Sequence, residues 1–452
     1  MRPDGDAVAR AEALLRSRRY IGLLIVAAIL GVPISAAAYW FLDLISEIQK
    51  WVYTNLPHGL GFKSQPAWWP LIPLAVAGLI VGATVRYLPG RGGEEPIEGF
   101  HARGAVPAVN LPGIAIAALA SISLGAAIGP EGPLIALGGG LAVAAVRLIR
   151  RDFPQQGLAI IAATGSFAAI STLLGSPIVG AFLLMEITGV SGAMASVALV
   201  PGLLGAGIGA LIFTGLDALT GFGTFSLTIP NLPPAGRPDV SEFGWALLIG
   251  LLAGLLCWVI RTAASPLRGI VARWTIPVTT LIGLAVAGLA IGYAEATHHP
   301  NSDVLFSGQN ELPPLIENSA SYSVGALLMI LLCKGIAYGL SLVGFRGGPT
   351  FPAMFLGAAG GIAMSHLPGL GLIPAAAMGV GAMAVGMLRL PFTAVLLTSL
   401  FFGNDGLPVM PLVIVAVVVA HVTTIRLTPP ANGGSDKRDQ HGQATSAGQR
   451  GG

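Results

Sequence analysis

From Gly104 to Val146 the chain carries no charge except Glu131, and this stretch constrains the fold more than any other. It is interrupted in its middle by Gly129-Pro130-Glu131-Gly132-Pro133. Two segments meeting halfway through an apolar layer account for it better than two plain spans, since one crossing takes only about 20 residues. Proline is tolerated in the first turn of a helix, so the pattern predicts a break followed by a helix start near Pro133. Such a start aims unpaired N–H groups and the positive end of a helix dipole into the apolar layer. An ionisable side chain at that depth is costly and marks a functional position. Glu131 therefore reads as a movable anion tethered beside an anion site; the competing reading is a cap in a structural break.

Composition supports the membrane reading. Of 452 residues 54% are hydrophobic and 10% charged, and the mean hydropathy is +0.78, whereas a soluble domain carries about 25% charged residues. The net charge of +3 gives no nucleic-acid signal. Cys257 and Cys333 lie in apolar stretches and fit neither a disulfide framework nor a metal site. No cleavable leader is expected, because the first apolar run begins only at Tyr20.

The expected organisation has five parts. Residues 1–19 form a basic amphipathic segment, 20–216 a first membrane half, and 217–242 an external linker rich in Pro and Gly. Residues 243–427 form a second membrane half, and 428–452 a polar, Gly-rich tail expected to be disordered. Arg86, Arg91, Arg147, Arg150, Arg151, Arg261, Arg268 and Arg273 mark the cytoplasmic side, which also takes both termini. The first long helix then runs outward and its counterpart inward, the signature of an inverted repeat with a site at mid-membrane. A second Gly/Pro-interrupted stretch, Gly344–Gly361, stands where the repeat requires one. The fold class is thus an all-α polytopic membrane protein, with its many Gly and Ala residues serving close helix packing.

Three stretches together resemble the CLC family of chloride channels and proton-coupled chloride transporters. GPEGP at Gly129–Pro133 is similar to that family's G-x-E-G-P signature. GGPTFP at Gly347–Pro352 is an altered form of its G-x-F-x-P stretch, and GRGGEEPIEGF at Gly90–Phe100 stands in place of G-S-G-I-P. Gly175–Thr188 and the run from Leu388 follow the family's pattern too, so the resemblance covers roughly residues 15–428. It implies a dimer of two complete pores, each built from two inverted halves, in the inner membrane of a bacterium.

Carried over position by position, Glu131 matches the gating glutamate, which competes with chloride and leaves when protonated. The expected anion-binding positions are Gly129, Glu131, Gly132, Thr350, Phe351, Gly92 and Gly93. Pro130 and Pro349 have no N–H to donate, Gly92 replaces the central serine, and Leu407–Pro430 holds no counterpart of the late tyrosine. The family's transporters usually carry two adjacent glutamates after the central Ser-Pro break, the second relaying protons; here the pair reads Glu186-Ile187. Glu186 and Glu98 are the remaining carboxylates near an inner proton route, and the depth of His366 and His421 is left open. Glu186 also reads as a structural buried carboxylate.

Chloride inside a membrane needs partial positive charge without a trap, which helix N-termini supply and a full Lys or Arg would not. Arg346, Arg91 and Arg103 are accordingly expected near the inner surface. Lys334 is expected to be paired or snorkelling, Arg389 to tie a helix end through Glu98 or to attract anions, and His298-His299 to sit in a solvated loop or hold a metal. Lys437 and Arg438 read as solvated charge. The resulting expectation is chloride transport gated by Glu131, with passive conduction favoured over proton exchange on the strength of Ile187. Chloride is the transported ligand, no cofactor is expected, and the partners are the bilayer, a second copy and protons. The rivals are a proton-coupled antiporter with another inner path, a fluoride exporter, and an intramembrane enzyme or sensor.

Overall fold

The computed structural model describes residues 9, 12–99, 106–189, 195–221 and 238–428, with 227, 229, 232 and 236. Arg10, Arg103, Lys437, Arg438, the linker residues 222–226, 228, 230, 231, 233–235 and 237, and nearly all of the 428–452 tail lie outside the described residues. The first half comprises α1 (Arg18–Lys50), α2 (Leu71–Tyr87), α3 (Leu111–Ser123), α4 (Glu131–Ile149), α5 (Gln155–Leu174), α6 (Pro177–Thr188) and α7 (Ala195–Thr220). The second comprises α8 (Val240–Ala264), α9 (Leu267–Arg273), α10 (Thr275–Thr297), α11 (Leu312–Glu317) and α12 (Val324–Gly344). It ends with α13 (Thr350–Met364), α14 (Leu372–Leu388), α15 (Pro391–Gly406) and α16 (Met410–Leu427). Eight helical stretches among the described residues are long and apolar enough to cross a membrane.

Helix ends follow local chemistry. The Ser176 side chain accepts from Val179 N with Pro177 at the first helical position, and Ser323 accepts from Ala326 N to start α12. Asp239 and Glu242 form a reciprocal capping box on α8. Gly175 and Gly189 end α5 and α6 in the left-handed conformation. Helix α4 starts at Glu131, two residues before the expected start at Pro133. That shift puts the carboxylate in the first turn itself.

The two halves repeat one packing scheme. Helix α4 packs on α5 as α13 packs on α14; α5 on α7 as α14 on α16; and α1 on α7 as α8 on α16. The close approaches repeat as well. A Cβ at Gly138 would lie 2.5 Å from Gly165 O, and one at Gly357 would lie 2.2 Å from Gly379 O. Backbones this near need residues without side chains, the usual membrane alternative to a hydrophobic driving force. The breaks α3–α4 and α12–α13 meet directly. Gly129 and Gly348 exchange both backbone hydrogen bonds, at 2.8 and 2.5 Å, as an antiparallel bridge.

Lys334, fully buried in α12, is paired within the fold. Its Nζ donates to the carbonyls of Asp303 at 2.9 Å and Leu305 at 3.0 Å, and lies 4.4 Å over the Phe355 ring. Phe306 N in turn donates to Gly125 O, and the Phe306 ring meets Tyr53 edge-on at 4.9 Å. The loop before α11 thus braces the chain leading to Gly129 against α13. His299 of this loop stacks on Tyr322, which lies between α11 and α12, at 4.0 Å.

Candidate anion site

Glu131 is 1% exposed. Its side chain turns toward the opposite break, where Oε1 accepts from Phe351 N at 3.2 Å. Oε2 is buried and has no hydrogen-bond partner. The carboxylate therefore occupies the space between the N-termini of α4 and α13, where two helix dipoles present their positive ends. Gly129 and Gly348 make this seat: a Cβ on either would fall 2.3 or 1.7 Å from Oε2. Thr350 is 3% and Phe351 1% exposed, so both face protein and not lipid. Tyr338 donates to Pro349 O at 2.6 Å and fixes the residue before α13.

On one side of the seat lies a cavity of about 590 Å³ whose wall includes Gly92, Gly93, Gly132, Pro133 and Ile187. It brings together three stretches that are far apart in sequence, and its wall is mainly apolar. Gly92 and Gly93 take φ values of 71° and 98°, a turn that L side chains adopt at a cost, so glycine in place of serine fits the local backbone. Ile187 presents no titratable group to this space.

The carboxylates near this route have other work. Glu186 caps α15, accepting from Phe392 N at 2.9 Å, Thr393 N at 2.7 Å and Thr393 Oγ1 at 2.5 Å. Glu98 and Glu95 both bridge to Arg268, at 2.6 and 2.8 Å. Arg268, 170 residues along the chain from Glu98, is a partner that sequence spacing could not reveal. Arg389 does not tie to Glu98: its Nη2 donates to Thr428 Oγ1 at 3.1 Å, because Glu98 is already held. Arg346 is likewise not at the surface. It is 5% exposed and forms part of the cavity wall, since pairing of Gly348 with Gly129 draws its segment inward. His366, in the turn after α13, contacts Ile362 O through Nδ1, while His421 is half-buried with Nδ1 unpartnered among the described residues.

Comparison with known proteins agrees with this arrangement. The family model described as voltage gated chloride channel matches residues 74–424. The Escherichia coli (strain SMS-3-5) protein named "Putative ion-transport protein YfeO" is 27% identical over 373 residues, covering 80% of this chain and 82% of that one. A slow cyanobacterial Cl⁻/H⁺ antiporter superposes with a TM-score of 0.71 at 21% identity, over 90% of this chain and 94% of its own. A CLC-type fluoride/proton antiporter gives 0.69 at 18% identity, over 90% and 96%. The two halves, the paired breaks and the matched span together identify an anion transporter, not an enzyme: the chain belongs to the CLC family of voltage-gated chloride channels.

Proposed function

We propose that the protein moves chloride and other small anions through a path gated by Glu131, by passive conduction. One observation carries the reading: the Glu131 carboxylate accepts the Phe351 N–H and rests on the donors an incoming anion needs. Seated, it excludes chloride; protonated, it loses its charge and its claim on those donors. With Oε2 lacking a hydrogen-bond partner, a proton can be taken up without breaking an existing bond. The anion contacts proposed are the backbone of Gly129, Glu131, Gly132, Thr350 and Phe351, with Gly92 and Gly93 lining the approach from the cytoplasmic side.

Passive conduction is favoured because the positions that could relay protons inward are occupied otherwise. Ile187 is apolar, Glu186 caps a helix and Glu98 is bridged to Arg268. Proton-coupled exchange is the second reading, and the antiporters among the similar folds favour it. The deciding experiment is chloride efflux from proteoliposomes with internal pH followed and the potential clamped by valinomycin and potassium. Chloride flux without proton flux, with the pH response lost in Glu131→Gln, supports the passive reading. Uphill proton movement driven by chloride overturns it in favour of exchange.

A further inference from the structure

The chains leading into the two breaks are held by a pair of serines outside the anion site. Ser121, near the end of α3, accepts from Ala126 N at 3.0 Å through its carbonyl and from Arg346 N at 3.1 Å through Oγ. Ser341, near the end of α12, accepts from Phe345 N at 3.0 Å through its carbonyl and from Ala127 N at 3.2 Å through Oγ. Each serine thus takes one N–H of its own half by backbone and one N–H of the other half by side chain. All six residues are buried. The scheme follows the inverted repeat: Ala126 and Ala127 stand three and two residues before Gly129, as Phe345 and Arg346 stand before Gly348. Beyond the glycines both breaks read Gly-Pro-x-x-Pro, with Pro130 at φ −85°, ψ −4° and Pro349 at φ −88°, ψ −3°. A buried N–H needs an acceptor, and among the described residues no backbone carbonyl serves Ala127 or Arg346. A hydroxyl from the opposite half takes that place.

We infer that Ser121 and Ser341 are paired positioning residues for the anion site: each sets the donors of the opposite half, so neither half presents its break alone. The inference rests on the gating reading of Glu131 and extends it to what holds the seat in place. Ser121 fixes Arg346, five residues before Phe351, whose N–H holds Glu131 Oε1. Ser341 fixes Ala127, four residues before Glu131. The Gly129–Gly348 bridge lies between these anchors and the starts of α4 and α13. An anion bound by partial charges depends on their distance and direction, so the amides must be held by contacts beyond the site. Without one hydroxyl, a buried N–H is orphaned and the segment turns toward another acceptor. That turn is passed along the chain to the amides at the break. Glu131 and chloride compete for the same donors, so both lose hold together.

The test is calorimetric titration with sodium chloride, beside proteoliposome efflux, on the whole chain carrying Ser121→Ala or Ser341→Ala. Each change is expected to weaken chloride binding about two- to tenfold, the range of one net hydrogen bond. Each is also expected to raise the ratio of efflux at pH 7.5 to efflux at pH 4.5 by about the same factor. Ser121→Cys and Ser341→Cys fill the space with a weak acceptor, should behave as the alanine variants, and carry the test where an alanine variant does not fold. Ser123→Ala is the control: it removes a buried hydroxyl that donates to Leu119 O on the same helix, and should leave both readouts unchanged. Alanine variants with a lowered melting temperature but wild-type affinity and pH ratio overturn the proposal. A cysteine variant matching the wild type assigns the effect to packing and overturns it too, as does an equal shift in Ser123→Ala. Chloride binding is repeated in a Glu131→Gln background, where no carboxylate competes, and the serine effect on affinity should persist. A Glu131→Gln protein with the wild-type pH response would refute the gate while leaving that affinity result intact.

Discussion

Replacing Gly348 by alanine should open the path without touching Glu131. The new Cβ would stand 1.7 Å from Glu131 Oε2, whereas real Cβ contacts essentially never fall under 3.0 Å. The next atoms in its way, Cδ at 2.7 Å and Cβ at 3.1 Å, also belong to Glu131. The residue that must yield is thus the end of one side chain, and Gly348 does not adopt a positive φ that alanine would resist. Leaving its seat costs the carboxylate the bond from Phe351 N, a charge-assisted hydrogen bond worth about 1.5–3 kcal/mol. That energy corresponds to about a 10- to 150-fold fall in the ratio of seated to displaced carboxylate. In proteoliposomes, Gly348→Ala should carry chloride at pH 7.5 near the rate the wild type reaches at pH 4.5, with a flattened pH response. Gly347→Ala is the control: its Cβ meets Gly129 O at 2.7 Å and Ile128 Cδ1 at 2.6 Å, so it strains the bridge and lowers thermal stability instead. A Gly348→Ala protein with wild-type flux, stability and pH response would refute the seat as the gate.

Other outcomes follow from the same contacts. Glu186→Ala removes the acceptor of three hydrogen bonds at the start of α15 and should cost about 1–2 kcal/mol, read as a lower melting temperature with unaltered anion preference. Lys334→Met leaves the carbonyls of Asp303 and Leu305 without their donor and should cost about 3–5 kcal/mol by chemical denaturation, with Lys334→Arg recovering part of it. Burial raises the carboxyl of the half-buried Glu311, in the loop before α11, above the ordinary carboxylate range, against the pull of the Lys334 charge. The folded protein then holds a proton that the unfolded chain releases. Stability present below the ordinary carboxylate pKa is lost as pH climbs toward neutrality, by about 1.4 kcal/mol per unit of upward shift. Melting temperature should fall between pH 5 and pH 8, and Glu311→Gln should flatten the slope; an unchanged slope would assign the effect elsewhere.

Much of this molecule is legible in the sequence because membrane folds write their constraints in residue type. The uncharged stretch around Glu131 and the Gly/Pro interruptions announced the two breaks, and the abundance of Gly and Ala announced close helix packing, though not that Gly138 meets Gly165 and Gly357 meets Gly379. What stayed hidden depends on depth and on distant pairing. Arg346 follows a long apolar helix and so reads as an interfacial charge; only the contact of Gly348 with Gly129 shows how far its segment is drawn in. Glu186 admitted two roles until Phe392 and Thr393, some 200 residues on, were seen to donate to it. Glu98 was one of two expectations for Arg389, the other being attraction of anions, and the competing claim of Arg268 on Glu98 arose from packing between α9 and the loop before α3.

The bridge between Gly129 and Gly348 also limits how this machine can move. It stitches the first half of the chain to the second at the level of the gate, with two buried backbone bonds and no solvent to replace them. Rocking one half against the other, the usual stroke of proteins assembled from mirrored repeats, would have to tear that seam at about 1–3 kcal/mol for each orphaned group. Turning a single carboxylate out of its seat leaves the seam whole. On the proposed gating by Glu131, the moving part is a few atoms wide, with the two halves as a rigid chassis around it.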